Sequence, residues 1–150
     1  MIVSTTDLPC ERCEQVTFFA ATETSATGYL DCAPACIAVR YEQSPQPCLT
    51  FYPPLRLPAD FDAGCAFFDA CLDEGDERWF DFEFTEATGA VALRRDLARA
   101  DPERIDDALA DARVFFEGCW TWLEETVVRC GGKRTARRFW NRLLRALAEV

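Results

Sequence analysis

Phe80-Asp81-Phe82-Glu83-Phe84 is followed, after a short polar stretch, by Ala90-Val91-Ala92-Leu93-Arg94. Both runs alternate, and side chains two apart share one face of a strand, so each predicts a strand with one buried and one wet side. Thr85 to Gly89 supplies the turn, and residues 78–97 read as a β-hairpin. Downstream, Asp101-Pro102 opens a long helix, with Asp at the cap and Pro at the first helical position. Its stripe is Ile105, Leu109, Ala112, Phe116, Cys119, Leu123 and Val127, at spacings of 3 or 4, widened by Phe115 and Trp122. Upstream, Asp60 caps a shorter helix whose expected core stripe is Phe61, Cys65, Phe68 and Leu72, with Gly75 as its stop.

Further upstream, Ile37, Val39 and Tyr41 alternate, and Leu49 and Phe51 follow after a Ser44–Pro47 turn, which predicts a second hairpin. Tyr29–Cys32 reads as another strand, and Pro53-Pro54 ends the last one. Residues 7–21 fit a helix by spacing and a strand by composition. The expected fold class is therefore α+β: an antiparallel sheet of about five strands with helices packed on one face, plus a C-terminal basic amphipathic helix.

The 150 residues are room for one domain, with 49% hydrophobic and 28% charged residues. Charge is unevenly spread. Residues 1–126 carry 25 acids and 9 bases, a balance of −16, and residues 127–150 carry one acid, Glu149, and seven bases. Gly131-Gly132 marks the join, so the expected organisation is an acidic α+β domain over 1–130 and a basic helix over 131–150. The tail stripe is Ala136, Trp140, Leu143, Leu147 and Val150, with five arginines largely elsewhere. That helix is expected to pack on its own body or on a partner, and Arg137, Arg138, Trp140, Arg142, Leu143 and Leu147 are its candidate partner-binding residues.

At the level of element order the chain resembles the type III secretion chaperone-like fold shared with the YbjN family, over about residues 28–127. The resemblance is carried by Leu49–Pro58, similar to that family's third strand and exit, and by Trp79–Leu97 followed by the Asp101-Pro102 helix. It implies a small, acidic, non-catalytic protein that binds segments of other proteins and commonly pairs. It carries over no functional residue. A homodimer is expected on that ground, and also because Phe115, Phe116, Trp120 and Trp122 exceed one helix face, with Trp120 off the stripe.

The chemistry-bearing residues are few. The absence of His removes the commonest general base and every Ser-His or Cys-His pair, so no enzyme is expected. The net charge of −10 argues against nucleic acid as the main partner. Nothing near Met1 has the basic start and apolar run of a secretion signal, and no 18-residue apolar stretch is present, so the expected location is cytoplasmic. Nine Cys then read as thiols before disulfides. Cys10-x2-Cys13 with Cys32-x3-Cys36 approaches a four-thiolate zinc site, but the second spacing and the missing knuckle glycines favour small buried hydrophobes. No cofactor and no metal are expected.

Asp73, Glu74, Asp76 and Glu77 read as a solvated turn, since Gly75 falls where a calcium loop needs a ligand. Gly131-Gly132-Lys133-Arg134-Thr135 lacks the first glycine and the Ser/Thr of a phosphate loop. The favoured reading is a chaperone-like module binding a segment of another protein. The alternatives are a small zinc-binding regulator and an acidic inhibitor or immunity-type protein masking a basic target.

Overall fold

The computed structural model describes residues 16–21, 24–32, 35–43, 46–73, 81–85, 88–99 and 101–135, with Arg142 and Arg145. These form an α+β fold of eight strands and two helices. The strands are β1 (Val16–Ala21), β2 (Ser25–Asp31), β3 (Cys36–Glu42), β4 (Cys48–Tyr52), β5 (Leu55–Arg56), β6 (Asp81–Thr85), β7 (Ala90–Asp96) and β8 (Lys133–Arg134). The helices are α1 (Phe61–Asp73) and α2 (Pro102–Arg129).

Seven strands lie on one hydrogen-bonded path, β1-β2-β3-β4-β7-β5-β8, and β6 pairs β7 off that path. The sheet is thus larger than the five strands expected. The extra ones are β1, where Val16 to Phe19 favour a strand and Val16–Phe18, Ala20 and Ala21 pair β2, and the two-residue strands β5 and β8. The rest of residues 7–21 lies outside the described residues.

The register explains the path. Leu93 pairs Phe51 on one side and Phe82 on the other, so β7 runs between β4 and β6. Ala90 likewise lies between Arg56 and Thr85, so β5 continues the line of β4 along the same edge of β7. Pro53 and Pro54 interrupt that line because they have no N–H to give a ladder. The Leu55 N–H closes the break by donating to the Pro53 carbonyl at 2.7 Å.

One face of this sheet carries Leu30, Ile37, Val39, Tyr41, Leu49, Phe51, Val91 and Leu93, all buried. Both described helices pack on it. Phe116 of α2 lies tilted against Phe51 at 5.9 Å, and Phe67 of α1 meets Phe82 edge-on at 5.5 Å. Arg95, on the same face at the end of β7, reaches Asp111 of α2 at 2.9 Å. Burial of this cluster supplies most of the driving force, at about 25 cal/mol per Å2 of apolar surface.

In α2 the Asp101 carboxylate caps the first turn, accepting from the Arg104 N–H at 3.0 Å. Ile105, Leu109, Ala112, Phe116, Leu123 and Val127 face the core as their spacing requires. Cys119 does not. Its backbone leaves the helical range (φ −123°, ψ 16°), it is half-buried, and its Sγ donates to the Phe115 carbonyl. The bend brings Trp120 inward to 5% exposure, so this side chain is part of the chain's own core and not a surplus surface aromatic.

The chain after α2 departs from a simple linker. Gly131 adopts φ +88°, the Gly131 and Gly132 N–H groups donate to the Val128 and Val127 carbonyls, and Lys133 and Arg134 pair Arg56 and Leu55. Thr135 extends the contact, its N–H donating to the Pro54 carbonyl at 2.8 Å. Lys133 and Arg134, expected within the tail helix, are therefore a strand on the body. Arg134 holds it there, paired with Glu124 at 2.6 Å and with its guanidinium 5.6 Å from the centre of the Trp120 ring.

Burial also sets the acid–base behaviour of the sheet. It pushes the Tyr41 and Tyr52 phenols and the Cys48 thiol above their ordinary values. Around Cys48, Arg94 pulls the other way, while Glu42, Asp96 and Glu83 add to the rise. The Tyr41 hydroxyl has no hydrogen-bond partner among the described residues. A raised value means that the folded chain keeps protons the unfolded chain releases. The stabilisation is whole below the ordinary thiol value and drains away as pH rises through the ordinary thiol and phenol values toward the folded ones. With no His to titrate, the melting temperature should be nearly constant from about pH 6 to 8 and fall above about pH 9. Thermal melts at constant ionic strength check this, and a midpoint unchanged to about pH 11 would contradict it.

Candidate partner-binding groove beside β6

Helix α1 begins where the sequence places it. The Asp60 carboxylate accepts from the Ala63 N–H at 2.8 Å, as an N-cap should. The face turned to the core, however, is Ala63, Phe67 and Cys71, with buried Gly64 beside them. The stripe expected inside is mostly outside: Phe61 is 60% exposed, Cys65 is exposed and Phe68 is half-buried. The reason is steric. A Cβ on Gly64 would lie 2.5 Å from the Phe84 ring, so β6 comes close to the helix only because that position has no side chain.

Phe61 and Phe68 stand three residues before and four after Gly64, so they share its side of the helix. They therefore lie next to the place where Phe84 meets α1. Phe82 and Phe84 on β6 are themselves half-buried. Partly or fully exposed aromatic side chains of α1 and β6 therefore lie on neighbouring elements, and we take this strip as the candidate groove. Along its far edge β6 has no neighbouring strand among the described residues. Edge groups of this kind can pair an added strand.

Asp62 and Asp69 on α1 are exposed, and Glu83, on the opposite face of β6 from Phe82 and Phe84, is exposed and lies 3.8 Å from the Arg94 guanidinium.

The other candidate residues are placed as follows. Cys32 is buried and Cys36 half-buried, on the two sides of the β2–β3 turn, where the Cys32 and Ala35 backbones exchange hydrogen bonds of 3.1 and 3.2 Å. Cys10 and Cys13 lie outside the described residues. Among the described residues no group of three or more His, Cys, Asp or Glu is arranged to hold a metal ion. Arg142 and Arg145 are helical and exposed. Arg137, Arg138, Trp140, Leu143 and Leu147 lie outside the described residues. Among the described residues no helix is long and apolar enough to cross a membrane. Comparison with protein-family models, with curated proteins and with solved structures finds no significant match for this chain.

Proposed function

We propose that the protein is a non-enzymatic, chaperone-like module that binds an extended, apolar and basic segment of another protein along β6. The observation that carries this reading is the outward apolar stripe of α1 beside an open sheet edge. Phe61, 60% exposed, is a large ring on the helix beside a strand that pairs only β7 among the described residues, and both features are used when a strand is added. The acidic body supports the sign of the partner, since a balance of −16 over residues 1–126 attracts cations and repels acidic segments. Burial of the Cys48 and Cys130 thiols keeps both protonated and unreactive, in line with a binding role.

The test starts with partners captured by the full chain and identified by mass spectrometry. Each is then measured as a peptide against the parent and a Phe61→Asp, Cys65→Asp variant. Both positions are exposed, so the variant should melt as the parent does. Binding should weaken about a hundredfold, the loss of two apolar contacts plus added rim charge. Amides of Asp81–Thr85 should become protected from exchange when the peptide is added to the parent. Undiminished binding by the variant, with no protection of β6, would place the partner site elsewhere.

A further inference from the structure

Strand β3 is buried on both of its faces from Ile37 to Tyr41, although α1 and α2 lie on one of them. The face away from the helices carries Ser25 and Thr27 of β2, Ala38 and Arg40 of β3, and Cys48 and Thr50 of β4, all buried. Register explains part of this. Ala38 sits between Tyr29 and Tyr52, whose rings can cover so small a side chain. Arg40 is different. Its cross-strand neighbours are Thr27 and Thr50, too small to cover a guanidinium, yet it is only 8% exposed, with Glu42 3.6 Å away. Burial also raises the Tyr52 phenol on this face. Glu83 and Asp96, toward the β6 side, are exposed, so the cover ends near β4. A strand buried on both sides has a layer on both sides, and neither described helix supplies the second one.

We propose that residues 136–150 of the same chain lie across this face as its second layer. The point where the chain leaves the sheet favours them. The Thr135 N–H donates to the Pro54 carbonyl at 2.8 Å, two residues beyond Tyr52, so residue 136 departs beside the Tyr29–Ala38–Tyr52 row. The length suffices. Fifteen residues in a helix reach about 22 Å, and three paired strands are about 10 Å across. Polarity fits as well. In a helix Trp140, Leu143 and Leu147 share one side. Arg142 and Arg145 fall on the other, and both are helical and exposed, as this orientation requires. Charge separates this segment from the opposite terminus. Residues 136–150 carry four arginines and one acid, whereas residues 1–15 carry three acids and one base, and the surplus of acid over 1–126 favours the former. Residues 74–80 are tied at their ends to α1 and to β6, which lies beyond β7 from the covered strands. Trp140, Leu143 and Leu147 then face the sheet, and Arg138, Arg142 and Arg145 face water. The proposal uses none of the residues of the β6 groove and stands apart from that reading.

The experiment puts the photoreactive residue benzoylphenylalanine into the full chain in place of Trp140, of Arg145 or of Val3, one position at a time. Irradiation and peptide mass spectrometry then map the links. The probe at position 140 should link within its own chain to peptides of residues 25–52, and the probe at position 145 should not. Links from position 140 to α1 or α2, links between two chains, or no link from position 140 overturn the proposal. Links to residues 25–52 from position 3 and not from position 140 give the face to the N-terminal segment and overturn it too. Urea melts supply an independent reading. Trp140→Ala should lower the unfolding midpoint, as loss of a buried aromatic does, and Arg145→Ala should leave it unchanged. A Trp140→Ala midpoint equal to the parent's would remove the second layer from the account.

Discussion

Replacing Phe116 with alanine should cost about 3–5 kcal/mol, against about 5–15 kcal/mol for the whole stability of an ordinary domain. Phe116 is fully buried, its ring tilted against Phe51 of the central sheet at 5.9 Å and edge-on to Phe115 at 5.4 Å. Truncation there removes the ring that joins α2 to the sheet and leaves a cavity which its neighbours, held in regular elements, cannot close. Phe61→Ala is the matched control. It deletes the same side chain from a position 60% exposed and should change stability by no more than about 0.5 kcal/mol. Urea unfolding of both variants measures the difference. A cost for Phe61→Ala that rivals Phe116→Ala would mean the outer stripe of α1 supports the fold, and the groove would lose its claim to be a binding surface.

That pair of phenylalanines also shows what the sequence could disclose. In α2 the residues that pack are the large apolar ones, so hydrophobic period and buried face coincide from Ile105 to Phe116. In α1 they diverge. Phe61, Cys65 and Phe68 outrank Ala63 and Gly64 in hydrophobicity, so a reading by apolarity selects the wrong face. Position 64 on the packed face is a glycine because the Phe84 ring lies where a Cβ would be, and that closeness is a tertiary fact. Phe67 was the available clue, an aromatic off the chosen stripe. The bend at Cys119 is of the same kind, since regular spacing of 3 and 4 assigns Cys119 to the core and excludes Trp120.

The short strands were hidden for a different reason. A two-residue strand has no period, and Lys133-Arg134 has no apolar member, so β8 exists only through its partner. The central hairpins were legible because alternation and turn residues agreed over 78–97 and 37–51. The candidate groove was half legible: its edge strand was read, its apolar wall was read as core. The pairing of Arg56 with Lys133 joins residues 77 positions apart in sequence and gave no local sign beyond a glycine pair that resembled the wrong motif.

The turn into β8 supplies the second large effect. Gly132→Ala should destabilise the protein by about 2–4 kcal/mol, in the range of an overpacked site with a lost strand contact. A Cβ there would lie 2.4 Å from the Arg56 carbonyl oxygen, 2.5 Å from Val127 Cγ1 and 2.9 Å from the Val127 carbonyl oxygen. Two of these are backbone atoms of elements fixed by other contacts, so the strand and not the wall must move. Displacing β8 breaks its pairing with β5, the Thr135 bond to Pro54, and the placement of Arg134 between Glu124 and Trp120. Gly118→Ala is the contrasting change. Nothing lies within 4 Å of the added methyl and the site is inside α2, so a gain of about 0.5–1 kcal/mol is expected from the reduced freedom of the unfolded chain. Denaturant melts give both values, and exchange at the Thr135 amide reports on β8 directly. If Gly132→Ala melts like the parent with that amide still protected, close approach of the glycine is not what seats the strand, and the rigid corner that positions Lys133 is an incorrect account.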